Sequence, residues 1–192
     1  MTRLHLVRHG PTHARTMVGW SDLPADLSDR AAIERLSAYL PQEALVISSD
    51  LSRAADTATA IQGRRPRLPH RTDLREIHFG SWELRSYPEI EAEDPELARA
   101  YWDYPGEVRP PKGESWNDVR ARVDAAIDTL IAMHTGQDLI VVAHFGVILT
   151  QIQRALELDA QEALSHRIDN LSVTEITRLD TGWDVGRINH RP

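Results

Sequence analysis

The sequence predicts an α/β fold, a three-layer αβα arrangement with a mostly parallel central sheet. Three observations carry that prediction. Ala44–Ser49 and Leu139–Ala143 are short, continuous apolar runs, the pattern of strands buried on both faces. Helical-period segments alternate with them, as helices covering two faces of a sheet require. Finally, Met1–Val7 reads as a strand with Leu4 and Leu6 on one face, and it runs straight into Arg8-His9-Gly10. Ligands of open parallel sheets bind at that carboxyl edge. A cation, a nucleophile-capable imidazole and a permissive glycine there point to His9 attacking phosphorus while Arg8 holds phosphoryl oxygens.

The elements follow in order. Pro11–Arg15 and Gly19–Pro24 form a loop rich in turn formers. Ser28-Asp29 starts a helix through Leu40, with Ala32, Ile33, Leu36 and Leu40 as its apolar stripe and Pro41 as its stop. After the strand at 44–49, Ser49 or Asp50 is positioned to cap a helix from Leu51 to Gln62, ended by Gly63. Arg64–His70 is a basic, proline-broken stretch, read as a loop with a short edge strand. Leu74–Glu83 has no clean period and reads as an active-site loop. Tyr87–Tyr104 is acidic and helix-prone, broken by Pro88 and Pro95. Ser115 caps a long helix with Asp118 as its capping-box partner, and an apolar stripe from Trp116 to Ile131 runs toward His134. A helix over about 147–158 follows the strand at 139–143. Val173–Arg178 and Trp183–Ile188 form a terminal hairpin around Asp180-Thr181-Gly182. The 192 residues predict one domain over 1–192, with an insertion at approximately 78–113.

Composition sets limits. The chain is 41% hydrophobic and 27% charged, ordinary for a globular protein. It has no cysteine, which excludes disulfides, thiolate nucleophiles and cysteine-based zinc sites. Arg3, His5 and Arg8 interrupt any apolar run after Met1, so no signal peptide is predicted, and the expected setting is cytoplasmic. No apolar run reaches membrane-spanning length. A net charge of −7 argues against nucleic-acid and anionic-membrane partners. A homodimer is left open.

Three strand ends deliver polar residues to one edge: Arg8-His9, Arg53 in the first turn of its helix, and His144. Arginine forks and a helix amino end suit the oxygens of a phosphoryl group. Two arginines and a second histidine neutralise that charge without a metal. The even spacing of His5, His9 and His13 converges only on a helix, and this stretch is strand then loop, so no metal site is expected.

These residues carry a resemblance. Val7-Arg8-His9-Gly10, Ser48–Ala54 with Thr57-Ala58, Leu74-Arg75-Glu76 with Phe79-Gly80 and Trp82-Glu83, Gly113-Glu114-Ser115, and Val142-Ala143-His144 occur in the order found in the histidine phosphatase (phosphoglycerate mutase-like) superfamily. The resemblance implies a phosphoglycerate mutase-like fold with a short helical insertion over the site. It implies His9 as the phosphorylated nucleophile, Arg8, Arg53 and His144 as the phosphate clamp, and Glu76 as the acid, with Glu83 as its competitor. Gly10, Thr12 and Arg15 complete the expected substrate-binding set. Cationic neighbours are expected to keep His9 neutral and to lower the pKa of Glu76, so that Glu76 becomes an acid mainly with phosphate bound.

Arg15 stands where the family usually has Asn, and Phe145 where Gly or Ser is usual. Arg15 suits a substrate with a second negative group. The insertion is short and acidic, which favours a metal-independent phosphomonoester hydrolase acting on a small phosphorylated metabolite, without a cofactor. The run Phe79–Glu83 resembles the small phosphatases, α-ribazole-phosphate phosphatases among them. Phosphoglycerate mutase-type transfer is one alternative. A non-catalytic phosphate-binding module, with Phe145 crowding the pocket, is another.

Overall fold

A computed structural model describes residues 1–192. Five strands form one sheet in the order β2-β3-β1-β4-β5. They are β1 (Thr2–Arg8), β2 (Leu45–Ser48), β3 (Leu139–Ala143), β4 (Val173–Leu179) and β5 (Gly182–Val185). β3 runs parallel to both its neighbours, pairing Leu4 with Leu139 and Arg8 with Ala143 on one side and Leu45 with Leu139 on the other. The terminal hairpin adds two antiparallel pairings beyond β1. The register sets the ends of β1, β2 and β3 level, so Arg8, Ser48 and Ala143 reach the same edge.

Side chains alternate across the pleat and build a core on each face. Leu4, Leu6, Ile47, Val141 and Ala143 pack with α5 (Trp116–Met133) and α6 (Phe145–Leu156). Val7, Val46, Ile140, Val142 and Val173 pack with α1 (Arg30–Tyr39) and α2 (Ser52–Ile61). That double burial is why β2 and β3 read as continuous apolar runs. The insertion supplies α3 (Tyr87–Glu93) and α4 (Pro95–Asp103), whose Ile90, Ala98 and Tyr101 close on Trp82 in a small satellite core. No helix is long and apolar enough to cross a membrane.

Caps behave as their chemistry demands. Asp29 accepts from Ala32 N, and Ser115 forms a reciprocal box with Asp118. Several expectations need correction. Neither Ser49 nor Asp50 is the N-cap of α2: Leu51 holds that place, its side chain makes no capping bond, and Asp22, from a distant loop, accepts from the Ser52 N–H at 2.7 Å. Asp50 instead grips Arg75 through both carboxylate oxygens. α6 begins at Phe145 rather than near 147, so its first turn starts directly off β3. The stretch 64–70 forms only an isolated bridge, Val46 with Arg67, and no edge strand. A short helix, α7 (Ala160–Leu164), was not expected; an Asp159–Glu162 capping box starts it.

Candidate active site

β1 ends at Arg8, and His9 follows with its ring buried at 6% exposure. Its Nδ1 lies 2.6 Å from the Gly10 carbonyl oxygen, an arrangement that fixes the Nδ1–H tautomer and leaves Nε2 as the lone-pair nitrogen. The backbone around it is held from two sides. Gly10 N–H donates to Thr57 Oγ1 at 2.9 Å, and Asn170 Nδ2 donates to the His9 carbonyl at 2.7 Å. Burial pushes the His9 pKa down to about 3; the Gly10 hydrogen bond opposes this and the Arg53 and Arg8 charges assist. The neutral, nucleophilic form therefore dominates, chiefly through desolvation rather than through the cations expected to drive it.

The cations converge from separate elements. Arg53, only 1% exposed, sits in the first turn of α2 and donates from its two terminal nitrogens to the carbonyls of Ser21 (2.8 Å) and Gly19 (2.6 Å). It pairs with neither Asp50 nor Asp56. Arg8 donates to the Ile168 carbonyl at 2.6 Å, and its buried Nε has no partner. Phe145 packs 5.4 Å beneath the Arg8 guanidinium, a cation–π contact. His144 is fully buried at the end of β3, edge-on to His9 with ring centroids 5.1 Å apart. Neither of its ring nitrogens has a partner. Burial first, then His9 and the arginines, hold its pKa well below the ordinary value.

Across the cleft lies Glu76, on the loop between two short turns, Thr72–Leu74 and Gly80–Trp82. Its Oε1 accepts from Ile77 N (3.0 Å) and Gly146 N (3.1 Å), so the carboxyl docks on the opening turn of α6. Gly146 is required there, because a Cβ would sit 2.5 Å from Glu76 Oε1. Arg122 on α5 braces the same loop, donating to the carbonyls of Asp73, Arg75 and Glu76 and to Glu114. Burial raises the Glu76 pKa against the two backbone donors and the Arg53 and Arg8 charges. This corrects the expectation that the net shift is downward: burial outweighs the arginines, and the carboxyl is shifted toward its protonated form before any ligand arrives.

Glu83 has a different task. Its carboxylate accepts from the backbone N–H groups of Gly19, Trp20, Ser21 and Phe79 and from Ser21 Oγ. Burial works to raise its pKa, and these donors prevail and lower it. It knots the 19–21 loop, whose carbonyls aim Arg53, to the 79–83 loop.

A cleft of about 290 Å³ is lined by Arg8, His9, Thr12, Arg53, Glu76 and Phe145, with Ala14, Thr16 and Met17 on one wall. Three expected contacts are not among its lining residues: His144, fully buried beside His9, Gly10 and Arg15. Gly10 spends its N–H on Thr57 and its carbonyl on His9, which makes it a positioning residue. Arg15 is exposed and is not a lining residue, because the loop turns its neighbours Ala14 and Thr16 inward instead. The three evenly spaced histidines diverge: His5 is buried near Asp138 and Glu175, His9 faces the cleft, and His13 pairs with Asp26 at the surface. Thr57, Asn170, Arg122 and the Ser21 and Gly19 carbonyls were not foreseen. Only Thr57 had a sequence signal, as part of the Ser48–Ala58 match.

The family model for the histidine phosphatase superfamily (branch 1) matches residues 4–191. The chain belongs to that superfamily. A bifunctional protein of Mycobacterium tuberculosis is 33% identical over 195 residues, covering 91% of this chain and 50% of that protein. The chain thus spans about half the length of the first curated relatives it matches. An adenosylcobalamin/alpha-ribazole phosphatase of Salmonella typhimurium is 30% identical over 174 residues, covering 87% of this chain and 86% of the relative. Among solved structures, YhfR of Bacillus stearothermophilus superposes with a TM-score of 0.90 at 29% identity, over 98% of this chain and 97% of that one. The phosphoglycerate mutase-like αβα architecture expected of the family is the one observed.

Proposed function

We propose that this histidine phosphatase superfamily chain is a phosphomonoester hydrolase, one domain over 1–192, acting on a small phosphorylated metabolite through a phosphohistidine at His9. One observation carries the reading. A buried imidazole held neutral and a buried carboxyl held toward its acid form face one cleft that also contains Arg8 and Arg53. Two titratable groups with pKa values pushed apart in this sense form a nucleophile–acid pair.

The chemistry follows from those groups. Arg8 and Arg53 hold the non-bridging oxygens and stabilise the charge of the transition state. The unpartnered imidazole of His144, buried edge-on to His9, is assigned to one of them, the role the resemblance implies. His9 Nε2 forms the N–P bond as the P–O bond to the leaving group breaks, and Glu76 gives its proton to the departing oxygen. The Glu76 carboxylate then takes a proton from water, whose oxygen attacks the N–P phosphorus, releasing phosphate and regenerating neutral His9. The protein's own cations supply the positive charge, which supports metal-independent turnover. The Salmonella relative's name, a phosphatase, supports hydrolysis rather than transfer.

The test is phosphate release from a panel of phosphomonoesters in EDTA, for wild type and His9→Ala. Release that persists in EDTA and is lost in His9→Ala supports the reading. Release equal in both proteins, or phosphate binding without any release, refutes it.

A further inference from the structure

Beside the cleft, with Glu76 as a shared wall, is a second cavity of about 100 Å³ that the phosphate chemistry leaves unused. Its walls are Ile77, Phe79, Tyr101, Trp102, Trp116 and Phe145, closed by Val108 and Leu164. Glu76, Phe79, Trp102 and Phe145 line both spaces, so the two adjoin at the acid. We propose that this aromatic cavity receives the alcohol part of the substrate, and that this part is an uncharged apolar group no larger than about one ring. The inference deepens the function proposed above and rests on it.

Geometry fixes the direction. The proton from Glu76 must reach the leaving oxygen, so that oxygen lies at the junction of the two spaces. The phosphoryl group extends from it toward Arg8, Arg53 and His9. The carbon attached to it extends the other way, into the aromatic cavity.

The lining then selects the chemistry. Glu76 is the only ionisable side chain in the cavity apart from the Tyr101 phenol, and no cation is present. The insertion's cations are elsewhere: Arg85 pairs with Glu93, Arg99 is exposed beside Glu91, Arg109 is exposed beside Asp118, and Lys112 is exposed. Arg8 and Arg53 are the only cations of the phosphate cleft, and the phosphoryl group takes both. A second anion on the substrate would enter apolar surroundings unpaired, which is strongly unfavourable. A dry apolar cavity of about 150 Å³ accepts benzene, so this smaller one takes at most one ring or a branched aliphatic group. Phe145 gains a purpose here: it is the wall shared by both spaces, stacked under Arg8 on one side and facing the leaving group on the other.

The experiment compares kcat/KM for benzyl phosphate, glycerol 3-phosphate and 3-phosphoglycerate, three esters of primary alcohols, on the full chain and on Val108→Phe, with Leu164→Phe as a second cavity-filling variant. The expected order places benzyl phosphate about tenfold or more above glycerol 3-phosphate, with 3-phosphoglycerate last. Filling the cavity is expected to reduce the benzyl-to-glycerol ratio by about tenfold. Equal or reversed preference in the full chain, with release still dependent on His9, overturns the cavity assignment and leaves the hydrolase reading standing. A ratio unmoved in both folded variants overturns it as well. No release from any ester overturns both. The wild-type ranking decides the matter even where a variant fails to fold.

Discussion

Replacing Glu76 by Gln removes an acidic proton and alters little else. Glu76 Oε1 accepts from Ile77 N at 3.0 Å and Gly146 N at 3.1 Å, and a Gln Oε1 in the same place accepts both, giving up only the longer 3.2 Å contact of Oε2 with the same Gly146 N–H. The side chain is buried at 7% exposure, so an isostere neither opens a cavity nor crowds Gly146. What disappears is proton donation, a contribution of about 10²–10⁴ in rate, or about 2.7–5.4 kcal/mol. That full loss is expected in kcat/KM for an alkyl phosphate, whose alkoxide departs only with a proton. For p-nitrophenyl phosphate, whose leaving group departs as a stable anion, the loss is expected to shrink to about tenfold or less. The assay is kcat/KM across esters of graded leaving-group basicity, because this parameter reports the first phosphoryl transfer. The slope against leaving-group pKa should steepen in the variant. A uniform loss across the series would refute proton donation by Glu76. Stability supplies an independent check. The folded pKa of Glu76 lies above its unfolded value, so the folded state binds the extra proton. The wild type therefore loses stability as pH rises from the ordinary carboxyl range through the raised pKa. Glu76→Gln, which has nothing to ionise, should melt higher than wild type at pH 8, with the gap narrowing toward pH 4.

Three further outcomes are expected. Since His9 titrates at about 3, kcat/KM, corrected for the ester's own ionisation near pH 6 (about), should not fall on acidification through the ordinary histidine pKa of 6.5; it should fall on the alkaline side as Glu76 loses its proton. Arg53→Lys keeps the charge but loses the fork that spans the Ser21 and Gly19 carbonyls; kcat/KM should drop by about 10²–10³, with vanadate inhibition weakened in parallel. Glu83→Ala strands four backbone donors; calorimetry should show a loss of about 1–3 kcal/mol, and its effect on rate should not vary with leaving group, unlike that of Glu76→Gln.

How legible the sequence was depends on where each signal resides. β2 and β3 were plain because burial on both faces leaves no polar position in the run. The level ends of β1, β2 and β3 made Arg8, His9, Arg53 and His144 converge as the topology required. Arg65 illustrates the limit. It lies in a basic stretch that reads as a loop with a short edge strand, yet it is 2% exposed and donates to the carbonyls of Ser37, Leu40, Pro41 and Ile61, tying the ends of α1 and α2. No local pattern announces a cation that satisfies the carbonyls left free at two helix ends. The sign of the Glu76 shift was missed for the same reason: neighbouring charges can be named from a sequence, whereas complete desolvation is a property of the folded chain. Arg15 failed because a loop's twist decides which side chains face inward. The aromatic cavity, assembled from α4, α5, α6, α7 and two loops, has no sequence signature at all.

The most direct test of the account is a rapid quench of the enzyme with ³²P-labelled ester, followed by peptide mapping. The account predicts a phosphoenzyme that is acid-labile and base-stable, sited on His9, absent in His9→Ala, and decaying at a rate consistent with turnover. Label on any other residue, or turnover by His9→Ala at the wild-type rate, would contradict it.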